Sequence, residues 1–286
     1  MIANPSLSQK FSQLLFDKRR TKVMGVINTT PDSFSDGGIN LSPDVAIRNG
    51  LSMLDDGAHI LDIGGESTRP GSVYTNIEEE IRRIGPVISG ICSQRPEAVI
   101  SVDTRRVAVA QAAVQAGAII INDVSGFRDD PELAQFAREA ETFLIVMHML
   151  GVPRTMQQDV HYESFPEDIF SFFEERITSL KNIGVSPEKI ILDPGIGFGK
   201  TFDQNLTLIN RLDQFLKLER PLLLGPSRKA FLGKIVEEPQ PSKRDLATMA
   251  AVSMCVCRGA SIVRVHDVKS AVQVCKVTDA ILREKI

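Results

Sequence analysis

The 286-residue sequence predicts an α/β protein built as a single (β/α)8 TIM barrel, with its active site at the C-terminal ends of the strands. Three observations carry this. Eight short apolar runs recur, rich in Ile and Val and without the strict alternation of half-exposed strands, as suits a parallel sheet buried on both faces. Segments with helical spacing separate them. Each run also delivers an ionisable or amide side chain at its C-terminal end, where barrel loops converge.

In order, the first twenty residues contain the weakly amphipathic "LSQKFSQLLF", read as an extra helix or arm, which makes 1–21 an N-terminal extension and 22–286 the barrel. The runs are "KVMGVIN", "HILDIGG", "AVISVDT", "IIINDV", "FLIVMHM", "KIILDPG", "PLLLGPS" and "SIVRVHD", starting near residues 22, 59, 98, 119, 143, 189, 221 and 261. Among the helical segments, "SPDVAIRNGLSMLDDGA" has a Ser-Pro start and a glycine stop. "NIEEEIRRIGPVISGIC", "RRVAVAQAAVQAG" and "PEDIFSFFEERITSLKNIG" behave similarly. No Pro/Ser-rich linker interrupts the alternation, so one domain is expected.

The chain is 43% hydrophobic and 24% charged, with formal net charge −3. That balance speaks against a nucleic-acid surface or a polybasic membrane anchor. No apolar stretch is long enough to span a membrane, and the N-terminus lacks the pattern of a secretory signal, so a cytoplasmic protein is expected. Cys92, Cys255, Cys257 and Cys275 are too few and scattered for a disulfide scaffold and are read as reduced thiols.

The polar strand ends are Asn28, Asp62 with the following Glu66–Arg69 loop, Asp103, Asn122 with Asp123, Met147 with His148, Asp193, Ser227–Lys229, and Arg264 with His266. Singly, Asn28, Asp103 and Asn122 also suit loop amides or helix caps, and His148 suits a hydrogen-bonded rim residue. "GIGFG" at 195–199 lacks the spacing of a dinucleotide fingerprint and is read as a mobile loop that exposes Phe198 to the barrel mouth. The Met/Ala-rich segment 246–257 is read as a packing or subunit face.

Together the motifs are specific. "GVINTTPDSFSDGG" (25–38), "DIGGESTRPGS" (62–72), "ISVDT" (100–104), "INDVSG" (121–126), "ILDPGIGFGK" (191–200), "GPSRKAFLG" (225–233) and "RVHDV" (264–268) occur in order. From residue 22 onward the chain resembles the dihydropteroate synthases, a family of pterin-binding enzymes. That resemblance implies a barrel that joins 7,8-dihydropterin-6-ylmethyl pyrophosphate to 4-aminobenzoate, releasing pyrophosphate. It implies a pterin pocket of Asp103, Asn122, Met147, Asp193, Phe198 and Lys229, in which carboxylates and an amide read the ring edge. It implies a pyrophosphate cradle of Asn28, Arg69, Arg264 and His266, with Mg²⁺ held through the phosphates and Asn28. It places the aminobenzoate among Phe34, Thr68, Pro70 and Lys229. Asp103, Lys229, Arg264 and His266 are the expected catalytic set, in a dissociative mechanism without a general base. A homodimer through the C-terminal helices is implied, as is sulfonamide sensitivity from Phe34 and Pro70. The chain departs from the family pattern at Ala230, where many members have a serine that helps hold the aminobenzoate carboxylate. Two alternatives are a pterin-dependent methyltransferase barrel and a pterin-binding barrel without turnover.

Overall fold

The computed structural model describes residues 2–30, 42–67, 74–152 and 154–285. Eight parallel strands form one sheet: β1 (Lys22–Asn28), β2 (Ile60–Gly64), β3 (Ile100–Asp103), β4 (Ile120–Asp123), β5 (Phe143–Met147), β6 (Ile190–Asp193), β7 (Leu223–Leu224) and β8 (Ile262–Val265). Their order is β6-β5-β4-β3-β2-β1-β8-β7. A single bridge between Leu192 and Leu222 closes the ring, supported by the Leu192 N–H donating to the Pro221 carbonyl at 2.9 Å. The helices are α1 (Pro5–Phe16), α2 (Pro43–Asp55), α3 (Ile77–Gln94), α4 (Val107–Ala116), α5 (Pro131–Glu139), α6 (Glu167–Asn182), α7 (Phe202–Asn210), α8 (Ala230–Ile235), α9 (Asp245–Cys257) and α10 (Val268–Arg283). The expected (β/α)8 barrel is the observed fold.

The strands are shorter than the apolar runs that announce them. β7 keeps two residues of "PLLLGPS" because Pro221 has no N–H to give a ladder and Pro226 stops extension on the other side. Helix starts follow local chemistry. Asn76, Asp130, Thr201 and Asp267 cap α3, α5, α7 and α10 with side-chain oxygens, and Thr201 with Gln204 forms a full capping box.

Side-chain alternation along a strand divides the barrel into layers. Val23, Leu61, Ile121, Leu192 and Val263 point outward into the core beneath the helices. Met24, Ile60, Ile120, Ile191 and Ile262 point inward, into a second core. Two residues further along each strand, the next inward positions are Val26, Asp62, Asn122, Asp193 and Arg264. The interior is therefore apolar at its N-terminal end and polar at its C-terminal end.

Helix α1 seals the apolar end. Leu7, Phe11 and Leu15 join the inward strand residues, and Phe11 meets Phe143 edge-to-face at 4.7 Å. The N-terminal segment thus has a packing task. The four cysteines are free thiols; Cys255 and Cys275 are buried and Cys257 is exposed. No helix among the described residues is long and apolar enough to cross a membrane.

Phe11→Ala removes the largest side chain of this plug. It is expected to cost about 3–5 kcal/mol in urea unfolding followed by circular dichroism; a loss below about 1 kcal/mol would mean that α1 does not seal the barrel.

Candidate active site

The inward polar layer is held by one cation. The Arg264 Nε donates to Asp62 Oδ2 at 2.6 Å, and its Nη2 donates to Asp103 Oδ2 at 3.0 Å. Asn122 Nδ2 donates to the same Asp62 oxygen at 3.1 Å. Strands β8, β2, β3 and β4 are thus tied at one level. The other oxygens, Asp62 Oδ1 and Asn122 Oδ1, are buried with no hydrogen-bond partner among the described residues. Buried acceptors are almost always paired, and an unmade bond costs about 1–3 kcal/mol. Two such atoms, on side chains that are themselves hydrogen-bonded to each other, suit a ligand that brings N–H donors.

A cavity of about 940 Å³ opens at this end of the barrel. Asn28, Asp103, Phe198, Lys229, Arg264 and His266 are on its wall, so six residues singled out from sequence converge there. Asn122, Met147 and Asp193 lie in the buried layer adjoining it. Met147 is in register with Asp193 across β5 and β6 and clusters with Val124, Met149, Met156 and Phe198. The Lys229 Nζ stands 4.2 Å from the centre of the Phe198 ring. His266 is oriented by Ser227, whose Oγ is 2.8 Å from its Nδ1 and also accepts from its backbone N–H at 3.2 Å. Phe34, Thr68, Arg69 and Pro70 lie outside the described residues.

Burial sets the charge states. It pushes Asp193 up to about 6, against the Gly195 N–H and the cations Lys229 and Arg264. It also raises Asp103, with the Asp62 carboxylate adding to the push and Arg264 opposing it. Lys229 is drawn down to about 8 by burial and by Arg264, against the pull of Asp193 and Asp103. Asp123, also raised by burial to about 6, spends its oxygens on Ser125 and the Phe127 N–H and serves the turn after β4. The site combines carboxylate and amide acceptors, a partly neutralisable lysine and a guanidinium whose five donors exceed the two bonds it makes among the described residues.

Several contacts that shape the site have no signal in the sequence. Asp62 was visible as a strand end, but only its pairing with Arg264 marks it out. The Ser227–Lys229 turn is held from α9. Arg228 sits in the left-handed region at φ 59°, its guanidinium makes a bidentate pair with Asp245 at 2.8 and 2.9 Å, and its N–H donates to Thr248. The stem after β2 is fixed by Glu66, which accepts from Arg105, Arg106 and the Thr75 N–H. The loop at 195–199, expected to be mobile, is fastened by side chains on both flanks. Phe198 is half-buried.

This geometry has counterparts among known proteins. The sequence profile described as "Pterin binding enzyme" matches residues 24–266. The dihydropteroate synthase of Synechocystis sp. is 47% identical over 95% of this chain and 94% of its own length. That of Escherichia coli K12 is 40% identical over 94% of each. The chain belongs to the dihydropteroate synthase family. The transferase activity of that family, which makes dihydropteroate in folate biosynthesis, is its activity. The Yersinia pestis dihydropteroate synthase in complex with a sulfonamide drug superimposes with a TM-score of 0.89 at 38% identity, covering 94% of this chain and 97% of that one. The Xanthomonas albilineans enzyme in complex with 7,8-dihydropteroate gives 0.83 at 35% identity, over 93% and 95%.

Asp62→Asn tests the cluster. It leaves Arg264 without its shortest carboxylate contact and is expected to cost about 2–4 kcal/mol, because breaking a buried pair strands the remaining charge. Removing the like charge should also lower the Asp103 titration midpoint, read by carboxyl NMR. An unchanged midpoint would separate the two carboxylates electrostatically.

Proposed function

We propose that the dihydropterin ring binds in the polar layer with its edge read by Asp103, Asn122 and Asp193, and that Lys229 donates to the ring carbonyl side. The orphaned pair Asp62 Oδ1 and Asn122 Oδ1 carries this reading, since ring N–H groups satisfy acceptors that the protein leaves unmet. Asp62 joins the expected set as a result. Met147 and Phe198 supply polarisable and aromatic surface beside the ring.

The pyrophosphate end lies toward Arg264 and His266, with Arg69 as a further cation. Arg264 keeps donors beyond those given to Asp62 and Asp103. Ser227 presets the His266 ring. Among the described residues no group of three or more His, Cys, Asp or Glu side chains is placed to hold a metal. Asn28 offers a hard amide oxygen on the cavity wall, which suits Mg²⁺ shared with phosphate oxygens. When bound, the ion would supply charge neutralisation to the pyrophosphate.

An aryl amine is a neutral nucleophile at pH 7, so this chain needs to orient it more than activate it. Arg264, His266 and Lys229 stabilise negative charge as the pyrophosphate departs, and the dihydropterin delocalises the positive charge left behind. The path is dissociative. The aminobenzoate is placed by Thr68, Phe34, Pro70 and Lys229, with the N–H of Ala230 in place of a serine hydroxyl. Two copies of the chain associate through α9 and α10, where Leu246, Met254, Val277, Ile281 and Leu282 are exposed; the cytoplasm is the proposed compartment.

Three outcomes are expected. Pyrophosphate release from the dihydropterin substrate should require 4-aminobenzoate and match dihydropteroate one for one; hydrolysis alone would indicate a pterin-binding barrel without transfer. Because Asp193 accepts best as a carboxylate, protons compete with the pterin, and affinity by calorimetry should fall as pH drops through about 6. A flat profile from pH 5 to 7 would remove Asp193 from recognition. Joint Val277→Asp and Ile281→Asp replacement should convert a sedimenting dimer to monomer, and unchanged sedimentation would place the interface elsewhere.

A further inference from the structure

Lys200 follows the glycine loop and takes no part in the proposed reaction. It is 2% exposed and borders the cavity, yet no carboxylate among the described residues pairs with it. Its Nζ donates to the Phe198 carbonyl at 3.0 Å and lies 3.2 Å from His148 Nδ1 and 3.5 Å from the His148 carbonyl. All three partners are neutral acceptors.

The loop that it touches is fastened along its length. The Gly195 N–H donates to Asp193 Oδ1 at 2.8 Å and the Gly197 N–H to Asn205 Oδ1 at 2.7 Å. Gln157 donates to the Gly197 carbonyl and the Tyr162 hydroxyl to the Gly199 carbonyl, each at 2.8 Å. Gly195 lies so close to the next strand end that a Cβ would stand 2.0 Å from the His148 oxygen. Lys200 secures the one carbonyl in this series that belongs to Phe198, the residue whose ring lies against Lys229.

A lysine is a poor choice for fastening alone. Burial draws Lys200 down to about 7, Asp193 pulls it back and Lys229 repels it. Its neighbour His148 is held well below its usual value by burial, by Lys200 and by Arg128, so the ring is neutral and Nδ1 accepts. A buried lysine amine within electrostatic reach of a second one costs stability that an apolar side chain of equal length would not. Residues that lower fold stability in this way concentrate where geometry serves binding.

We propose that Lys200 is a positioning residue for the pterin slot: by holding the Phe198 carbonyl against the end of β5, it sets the Phe198 ring and the Lys229 ammonium at the spacing the ring requires. This rests on reading the cavity as the pterin site.

The test is steady-state kinetics of Lys200→Met with both substrates varied. The KM for the dihydropterin pyrophosphate should rise at least tenfold. The kcat and the KM for 4-aminobenzoate at saturating pterin substrate should stay within about twofold, and the melting temperature should hold or rise. A lower melting temperature and kcat with an unchanged KM would make Lys200 merely structural and overturn the proposal. Lys200→Met combined with Phe198→Ala should be no worse than Phe198→Ala alone, because the two act in series; multiplied effects would overturn it. If Lys200→Met fails to fold, Tyr162→Phe removes the adjacent fastening without a charge and should raise the same KM about threefold; no rise overturns the loop's role. Asp193→Asn separates the readings. If it leaves the pterin KM unchanged, the slot itself is misplaced; if it raises that KM while Lys200→Met does not, only the inference about Lys200 falls.

Discussion

The pairing of Arg264 with Asp62 and Asp103 is the interaction on which the site depends. Charges this deep are tolerable only when each has a partner at hydrogen-bond distance. The guanidinium provides that for two carboxylates on different strands, and Asn122 adds a third strand through Asp62. The result is a cross-linked polar layer whose spare acceptors sit on side chains already held by other bonds. Preorganisation of this kind lets a ring be read by its edge without first reordering the protein.

The layer is possible because the other half of the barrel is dry. Inward Met24, Ile60, Ile120, Ile191 and Ile262 fill the interior below it, and α1 closes the end that would otherwise admit water. Low polarity beneath the carboxylates raises Asp193 and Asp103 and strengthens every bond they make. Packing at one end of the barrel thereby sets the proton affinities at the other.

Much of this was legible in the chain. Period-two alternation puts Asp62, Asn122, Asp193 and Arg264 on the same inward face as the apolar residue two places earlier, so a polar layer at the strand ends follows from the runs themselves. Arg264 was legible as a cation at the mouth, but its carboxylate partners lie 161 and 202 positions away, and no local pattern encodes them. The same holds for Lys200, whose partners His148 and Phe198 meet only because β5 and β6 are neighbours. Arg228 gives no sign of its left-handed backbone; Asp245 and Thr248 of α9 hold the turn in which it occurs. "GIGFG" misled for a different reason. Glycine permits both freedom and close approach, and the composition of a loop does not distinguish them. Here close approach is the purpose.

The seam between β6 and β7 differs from the other seven junctions. A single isolated bridge joins them, where β1 and β2 share a five-residue register. Asp193 stands at the end of one of these strands, and Lys229 lies a few residues past the end of the other. A small molecule gripped by both would act as a rivet across the weakest joint of the cylinder. Occupancy would then reinforce the wall mechanically, and the circle would be most complete when the enzyme is at work.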